Sequence, residues 1–133
     1  MKMVGCLLTC WRVASTSIDT RPKPFLNHFN NGFILTFNSI KLAPHNAAPA
    51  KLLIGGNVNL APLGDAAAAI SNGSGGGATS LVDMGGATRE LRVSDAAAAI
   101  DVAVNVPVVN GGLIKTGPGT LALNGANSYS GDT

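Results

Sequence analysis

The stretch GGLIKTGPGTLALNGANSYSGDT, residues 111–133, decides the fold of this protein. Leu121 and Leu123 alternate with small or polar residues, which is typical of a strand with one buried face. Glycines interrupt the stretch at short intervals, and closely spaced glycines indicate tight corners. The stretch therefore predicts short β-strands joined by sharp corners.

Two kinds of catalytic or binding motif contain a similar Lys-Thr-Gly triplet, here Lys115 to Gly117. A phosphate-binding loop needs a glycine directly before the lysine, but Ile114 stands there. The Lys-Thr-Gly strand of serine β-lactamases works with a nucleophile in an S-x-x-K motif, and the chain has none. Neither nucleotide binding nor acyl-enzyme chemistry is predicted.

The composition indicates a thin core and many turns. The 133 residues are 46% hydrophobic but only 5% aromatic, 12% are charged, and 17 are glycine. A core of Ala, Val, Leu and Ile divided by so many glycines favours an all-β arrangement of short strands. The length allows one small domain.

Strand-like runs continue backwards from the closing stretch to residue 33. Phe33, Leu35 and Phe37 share one face, and the pattern then shifts, which predicts a bulge or corner near Asn38. Further alternating runs follow from Lys51, separated by Gly-Gly, Asn-Gly and Gly-Pro-Gly. We expect the inward residues to be buried and Thr120, Ala122 and Asn124 to face outward; the inward set is Leu91, Val93, Val102, Val104, Leu113, Leu121 and Leu123.

The hexapeptide DAAAAI occurs twice, at 65–70 and 95–100. Alanine favours helix, but six residues do not offset the free energy of helix nucleation without tertiary contacts. We therefore predict strand or loop at both places. The fixed spacing of the copies is typical of a repeating coil.

Charge and cysteine content argue against two binding functions. Residues 1–51 are basic, but their lysines and arginines are scattered and not interleaved with aromatic residues, so nucleic-acid binding is not predicted. Cys6 and Cys10 are the only cysteines, and His28 and His45 lack zinc-ligand spacing. No metal or cofactor is predicted.

The closing stretch resembles the autotransporter-associated β-strand repeat, whose typical form reads GGLTKTGAGTLTLSGANTYTGGT. The resemblance is strong over 111–133 and weaker over 33–110. One of its seven departures is Pro118, which we expect at a corner because proline cannot donate to a ladder. The matching residues are Gly111, Gly112, Leu113, Lys115, Thr116, Gly117, Gly119, Thr120, Leu121, Leu123, Gly125, Ala126, Asn127, Tyr129, Gly131 and Thr133.

The resemblance implies a right-handed parallel β-helix, a pectin-lyase-like solenoid of roughly three to five turns. It also implies a non-catalytic, adhesin-like stalk segment of an exported bacterial surface protein, held at the outer membrane by a barrel that this sequence does not encode. The implied partners are host surface or matrix molecules, or further copies joined through uncapped ends of the coil. Because the family repeat normally continues past Thr133, the sequence is expected to be a fragment.

Two regions are expected along the chain. Residues 1–31 are predicted to be an irregular leader or linker, and 32–133 the β-helix repeats. The apolar run near the N-terminus only partly fits a secretory signal, so a working signal in 1–25 stays open. No run reaches the ~20 apolar residues that a membrane helix needs.

The alternative function is a carbohydrate-active enzyme fragment, because polysaccharide lyases and hydrolases also use parallel β-helices. Such enzymes need clustered carboxylates, and the candidates are Asp65, Asp83, Asp95 and Asp101. Asp65 and Asp95 take equivalent places in the two hexapeptides and would stack if the copies lay in register. The competing interpretation is that each aspartate caps a turn, as aspartate commonly does in loops.

Overall fold

The computed structural model of the protein describes residues 27–29, 33–44, 48–73 and 78–130. These residues form twelve short strands and contain no helix. In chain order the strands are β1 (Asn27–Phe29), β2 (Phe33–Phe37), β3 (Ser39–Leu42), β4 (Lys51–Ile54), β5 (Val58–Pro62), β6 (Ala68–Asn72), β7 (Leu81–Asp83), β8 (Arg89–Val93), β9 (Val102–Val104), β10 (Val108–Val109), β11 (Leu113–Thr116) and β12 (Leu121–Leu123).

Each of the first nine strands pairs in parallel with the strand three places further along the chain. Sheet A has the order β1-β4-β7-β10, sheet B has β11-β8-β5-β2, and sheet C has β12-β9-β6-β3. The chain therefore runs through sheets A, B and C in succession and completes four turns, called here turn one to turn four. A parallel bridge between Val109 and Ser128 begins a fifth. The predicted parallel β-helix of three to five turns is confirmed.

The core fills the inside of the coil with stacked aliphatic side chains. Val58 of β5 lies in register with Leu91 of β8, and Leu60 lies in register with Val93. Of the side chains predicted to be inward, five are at most 3% exposed: Leu91, Val93, Val102, Val104 and Leu113.

Turn four differs from the prediction at two inward positions. Leu121 and Leu123 pack against the core but are only half-buried. They lie on β12, an edge strand of sheet C, and among the described residues β9 is the strand that pairs with it. Thr120 and Asn124 are exposed as predicted, and Ala122 is half-exposed.

Corners between the sheets fall where polar residues, glycine and proline stand in the sequence. Asn38 makes the bend between β2 in sheet B and β3 in sheet C, which confirms the corner predicted there. Pro118 lies in the bend between β11 and β12, also as predicted. The Val-rich run after Asp101 is divided by a corner at 105–107 into β9 and β10.

The two DAAAAI copies take different structures, and neither is helical. The end of the first copy lies in β6, whereas the whole second copy lies in the loop before β9. Because Ala68 is in register with Val102, residues 65 and 95 do not occupy equivalent positions. The stacking of Asp65 on Asp95 that copies in register would give is therefore absent. The register is the one that places Ile70 of β6 beside Val104 of β9 on the inward face. The second copy of the hexapeptide lies in the long corner between β8 and β9 of turn three.

Strand β1 lies in a segment that was predicted to be an irregular linker, so that prediction was wrong for Asn27–Phe29. Its backbone pairs in parallel with β4. Backbone hydrogen bonds do not require apolar and polar residues to alternate, so the sequence pattern did not indicate this strand. Predictions for the N-terminal signal, Cys6, Cys10, Gly131 and Thr133 lie outside the described residues. Within the described ranges there is no helix of the length and apolar character needed to cross a membrane.

Candidate functional site

The closing stretch of the sequence forms one turn of the coil, stacked on turn three. Strand β11 pairs with β8 from Leu113 to Thr116, and β12 pairs with β9 from Leu121 to Leu123. Ser128 then returns to sheet A, where its N–H donates to Val108 O at 2.9 Å. The residues chosen for their resemblance to a repeat therefore form a surface that contacts the preceding turn.

Five motif glycines lie so close to turn three that a side chain would not fit. An added Cβ would approach atoms of the preceding turn to well under 3.0 Å at each position. By contrast, a Cβ at Gly73 would make ordinary contacts of 3.4 Å, and one at Gly64 would meet nothing. The five glycines and their neighbours are Gly111 against Met84 and Ala87, Gly112 against Thr88, Gly117 against Val93, Gly119 against Ser94, and Gly125 against Val106.

The corner between β11 and β12 shows why glycine is needed there. Gly117 has φ +81°, a conformation that a side chain disfavours. Gly119 donates its N–H to Val93 O at 3.0 Å, and its Cα faces the Ser94 carbonyl. Together the two glycines let the backbone of turn four lie directly on that of turn three.

Lys115 occupies an inward position, which the sequence pattern did not reveal. It lies in register with Leu91, which in turn lies in register with Val58. Its Nζ leaves the interior and donates to Gly117 O at 2.7 Å. The aliphatic part of the lysine thus extends the apolar column while the ammonium group satisfies a corner carbonyl.

Polar side chains of the closing stretch also bind the turn on which each of them stacks. Thr116 Oγ1 donates to Glu90 Oε1 at 2.6 Å, and Asn124 Nδ2 donates to Asn105 Oδ1 at 2.8 Å. Asn127 Oδ1 accepts from Val108 N at 3.0 Å. These bonds fix the register of the stack on all three sheets.

Asp101 is a buried carboxylate that joins successive turns. It is 1% exposed, and its two oxygens accept from Ala96 N and Thr120 N, each at 2.7 Å. Its backbone carbonyl accepts from Ala68 N of turn two at 2.8 Å. The residue therefore holds the loop of the second hexapeptide and contacts the turns on both sides.

Asp83 is a second buried carboxylate, and it has a cation beside it. Lys51 Nζ lies 2.8 Å from Oδ2, while Gly85 N and Asn110 Nδ2 donate to Oδ1 at 2.8 and 2.9 Å. Burial alone would raise the pKa of Asp83, but Lys51, Gly85 and Asn110 together outweigh it and lower the pKa below its usual range. Asn110 has φ 58°, a left-handed conformation that asparagine adopts more readily than most residues.

The four aspartates weighed as catalytic candidates fall into two groups. Asp83 ends a strand of sheet A, whereas Asp65, Asp95 and Asp101 belong to the corner between sheets B and C. Asp65 and Asp95 are exposed, and Asp101 has both oxygens bonded to backbone N–H groups. Among the described residues, no group of three or more His, Cys, Asp or Glu side chains could hold a metal ion.

Comparison with known families identifies the closing turn. Residues 113–133 match the family model of the passenger-associated-transport-repeat. No significant match was found among curated proteins or among solved structures. The chain thus carries an autotransporter passenger repeat, and this repeat implies an exported, surface-associated protein.

Proposed function

We propose that the chain is a non-catalytic stalk segment of an autotransporter passenger, displayed at the bacterial cell surface outside the outer membrane. In this role the coil supplies length and rigidity, and its outward faces serve adhesion to host surface or matrix molecules. One observation carries the proposal: the segment that matches the passenger repeat is built as a stacking unit of the coil.

The functional groups of that unit support a structural role. Its glycines contact the backbone of turn three, and Lys115, Thr116 and Asn127 bond to groups within the coil. The buried carboxylates of Asp83 and Asp101 are similarly bonded within the coil. The polar side chains of the repeat and the two buried carboxylates thus stabilise the coil and fix its register.

Surface display tests the adhesive part of the proposal. The chain is fused to an autotransporter barrel in a non-adherent bacterium, and attachment to matrix-coated and cell-coated wells is counted. A displayed β-helix with an unrelated outer surface is the matched control. We expect attachment above the control, and attachment equal to the control at matched surface expression would contradict an adhesive role.

A cleavage assay tests the non-catalytic part. The purified chain is incubated with a panel of plant and bacterial polysaccharides, and new reducing or unsaturated ends are measured. We expect no turnover. Turnover that disappears in the Asp65→Asn/Asp95→Asn double variant, whose changes are exposed, would instead establish the enzyme alternative.

A further inference from the structure

Several strands of the described coil end at an asparagine that is followed by glycine. Such a pair can rearrange without an enzyme, because glycine has no side chain to hinder attack of its backbone nitrogen on the amide carbon of the asparagine. The attack requires that the glycine N–H lose its proton and that the asparagine side chain turn towards the backbone. The hydrogen bonds around each pair therefore decide which one reacts. The pairs are Asn72-Gly73, Asn110-Gly111 and Asn124-Gly125.

The pair at the end of β6 is closed by hydrogen bonds to both reacting groups. Gly73 N donates to Leu42 O at 2.7 Å, so a carbonyl holds the proton that the nitrogen would have to lose. Asn72 Oδ1 accepts from Ser80 N at 2.9 Å, and Asn72 Nδ2 lies 3.4 Å from Ala78 O. Reaction at Asn72 therefore requires this corner to open first.

The pair after β10 is held by a carboxylate and by close packing. Asn110 Nδ2 donates to Asp83 Oδ1 at 2.9 Å, which directs the amide away from its own backbone. Gly111 lies so close to turn three that an added Cβ would come within 2.5 Å of Ala87 O and 2.6 Å of Met84 Cβ. Deamidation would also place a second carboxylate beside Asp83, and like charges at this distance repel. Asn110 should therefore be protected in the folded chain.

The pair after β12 lacks these restraints. Among the described residues, Gly125 N–H has no acceptor and Asn124 Oδ1 has no donor. The side chain of Asn124 makes one bond, from Nδ2 to Asn105 Oδ1 at 2.8 Å, and this bond is exposed to solvent. The same holds one turn deeper, where turn four is stacked: Asn105 is exposed, and in the described part of the chain Val106 N–H has no acceptor. The free N–H is thus a property of this corner of the coil.

We propose that Asn124 is a site of spontaneous deamidation in the folded chain. The Gly125 nitrogen loses its proton and forms a bond to Cγ of Asn124, while the Cγ–Nδ2 bond breaks and Nδ2 leaves as ammonia. Water then opens the resulting succinimide ring at either of its two carbonyls, which gives aspartate or isoaspartate. The reaction needs water alone, and the inference does not depend on the adhesive role.

The modification should weaken the contact between turn four and turn three. Aspartate has no Nδ2 donor, so two acceptors would face each other where Asn124 now donates to Asn105 Oδ1. Isoaspartate also adds a methylene to the main chain directly before Gly125, where an added Cβ would already come within 2.6 Å of the backbone at 106–107. Deamidated molecules should therefore unfold at a lower urea concentration than unmodified ones.

Peptide mapping of the 133-residue chain, incubated at mildly alkaline pH with and without urea, tests the assignment. Trypsin separates the three pairs, because cleavage after lysine and arginine places them in the peptides 52–89, 93–115 and 116–133. We expect Asn124 to react in the folded chain within about threefold of its rate in the unfolded chain, and Asn72 and Asn110 to react at least about tenfold more slowly when folded. Equal protection of all three pairs, or faster reaction at Asn72 or Asn110, would overturn the proposal.

Asn124→Gln is the matched control, because it keeps the exposed amide but would have to form a larger and less favourable ring. The mass gain of the peptide 116–133 should disappear in this variant. If the mass gain persisted, the reacting residue would be Asn127 of the same peptide, and the assignment to Asn124 would be wrong.

Discussion

Asp101 and Thr120 are joined across two turns of the coil: the Asp101 Oδ2 atom accepts the Thr120 N–H at 2.7 Å, although the two residues are far apart in sequence. The other oxygen of the carboxylate accepts from Ala96 N, so one side chain fixes both the loop before β9 and the start of β12. A charged acceptor makes such bonds stronger than neutral ones, especially where water is excluded.

Removing the Asp101 carboxylate should destabilise the fold strongly. Asp101→Ala leaves the part-buried N–H groups of Ala96 and Thr120 without this acceptor, and at about 1.5–3 kcal/mol for each bond to a charged group the loss should reach about 3 kcal/mol. Urea unfolding measures the change. Asp95→Asn, an exposed change at the same corner, should alter stability by less than about 0.5 kcal/mol. Equal effects of the two substitutions would contradict the role given to Asp101.

The lowered pKa of Asp83 predicts a loss of stability in acid. Because the folded-state pKa lies below the ordinary value of about 3.9, the Asp83 contribution is complete above that value and is lost as the pH falls through the folded-state pKa. The stability difference between the native chain and Asp83→Asn should therefore shrink as the pH falls from 5 to below 3.

Lys51→Met should shift this acid transition to higher pH, because it removes the cation that favours the Asp83 carboxylate. The exposed Lys41 supplies the control, and Lys41→Met should leave the transition where it is. Thermal midpoints measured across the same pH range provide the comparison. A transition that does not move in Lys51→Met would show that the ion pair does not set the Asp83 titration.

The motif glycines should tolerate no side chain. In Gly119→Ala the new Cβ would meet the Ser94 carbonyl, and overpacking of this kind typically costs about 1–3 kcal/mol. Gly73→Ala, whose Cβ would meet only contacts of 3.4 Å, should be neutral or slightly stabilising. Chemical unfolding of the two variants gives the comparison. If their unfolding curves coincided, the close stacking of turn four on turn three would be contradicted.

A charge should be tolerated better in turn four than in turn three. Leu91→Asp buries an unpaired carboxylate at a position 3% exposed, which should cost several kcal/mol. Leu121→Asp should also destabilise the fold, but less, because Leu121 is only half-buried. The two midpoint shifts from chemical denaturation give the comparison, and a larger effect at Leu121 would contradict its half-buried position.

The sequence predicted those parts of the fold that depend on local patterns. Alternating leucines and valines identified the inward faces, Asn38 and Pro118 marked corners, and the glycines of the closing stretch indicated the repeat. Each of these signals is local, because strand alternation and corner chemistry act over a few residues.

Other features depend on register between turns, which local patterns do not encode. The identical hexapeptides suggested that Asp65 and Asp95 stack, but the ladder of Ala68 on Val102 placed them out of register. The roles of Asp83 and Asp101 likewise depend on partners in neighbouring turns. The one local signal for Asp101 was an aspartate standing directly before the valines of an inward run.

The central claim, that the passenger repeat is a coil turn stacked in parallel on the preceding turn, is tested most directly by nuclear Overhauser contacts between β9 and β12. The account predicts that Leu121 contacts Val102 and that Leu123 contacts Val104 within one molecule. Mixed labelled and unlabelled samples distinguish these contacts from contacts between molecules. Intramolecular contacts of Leu121 with Val104 and of Leu123 with Val102, as an antiparallel hairpin would give, would contradict it.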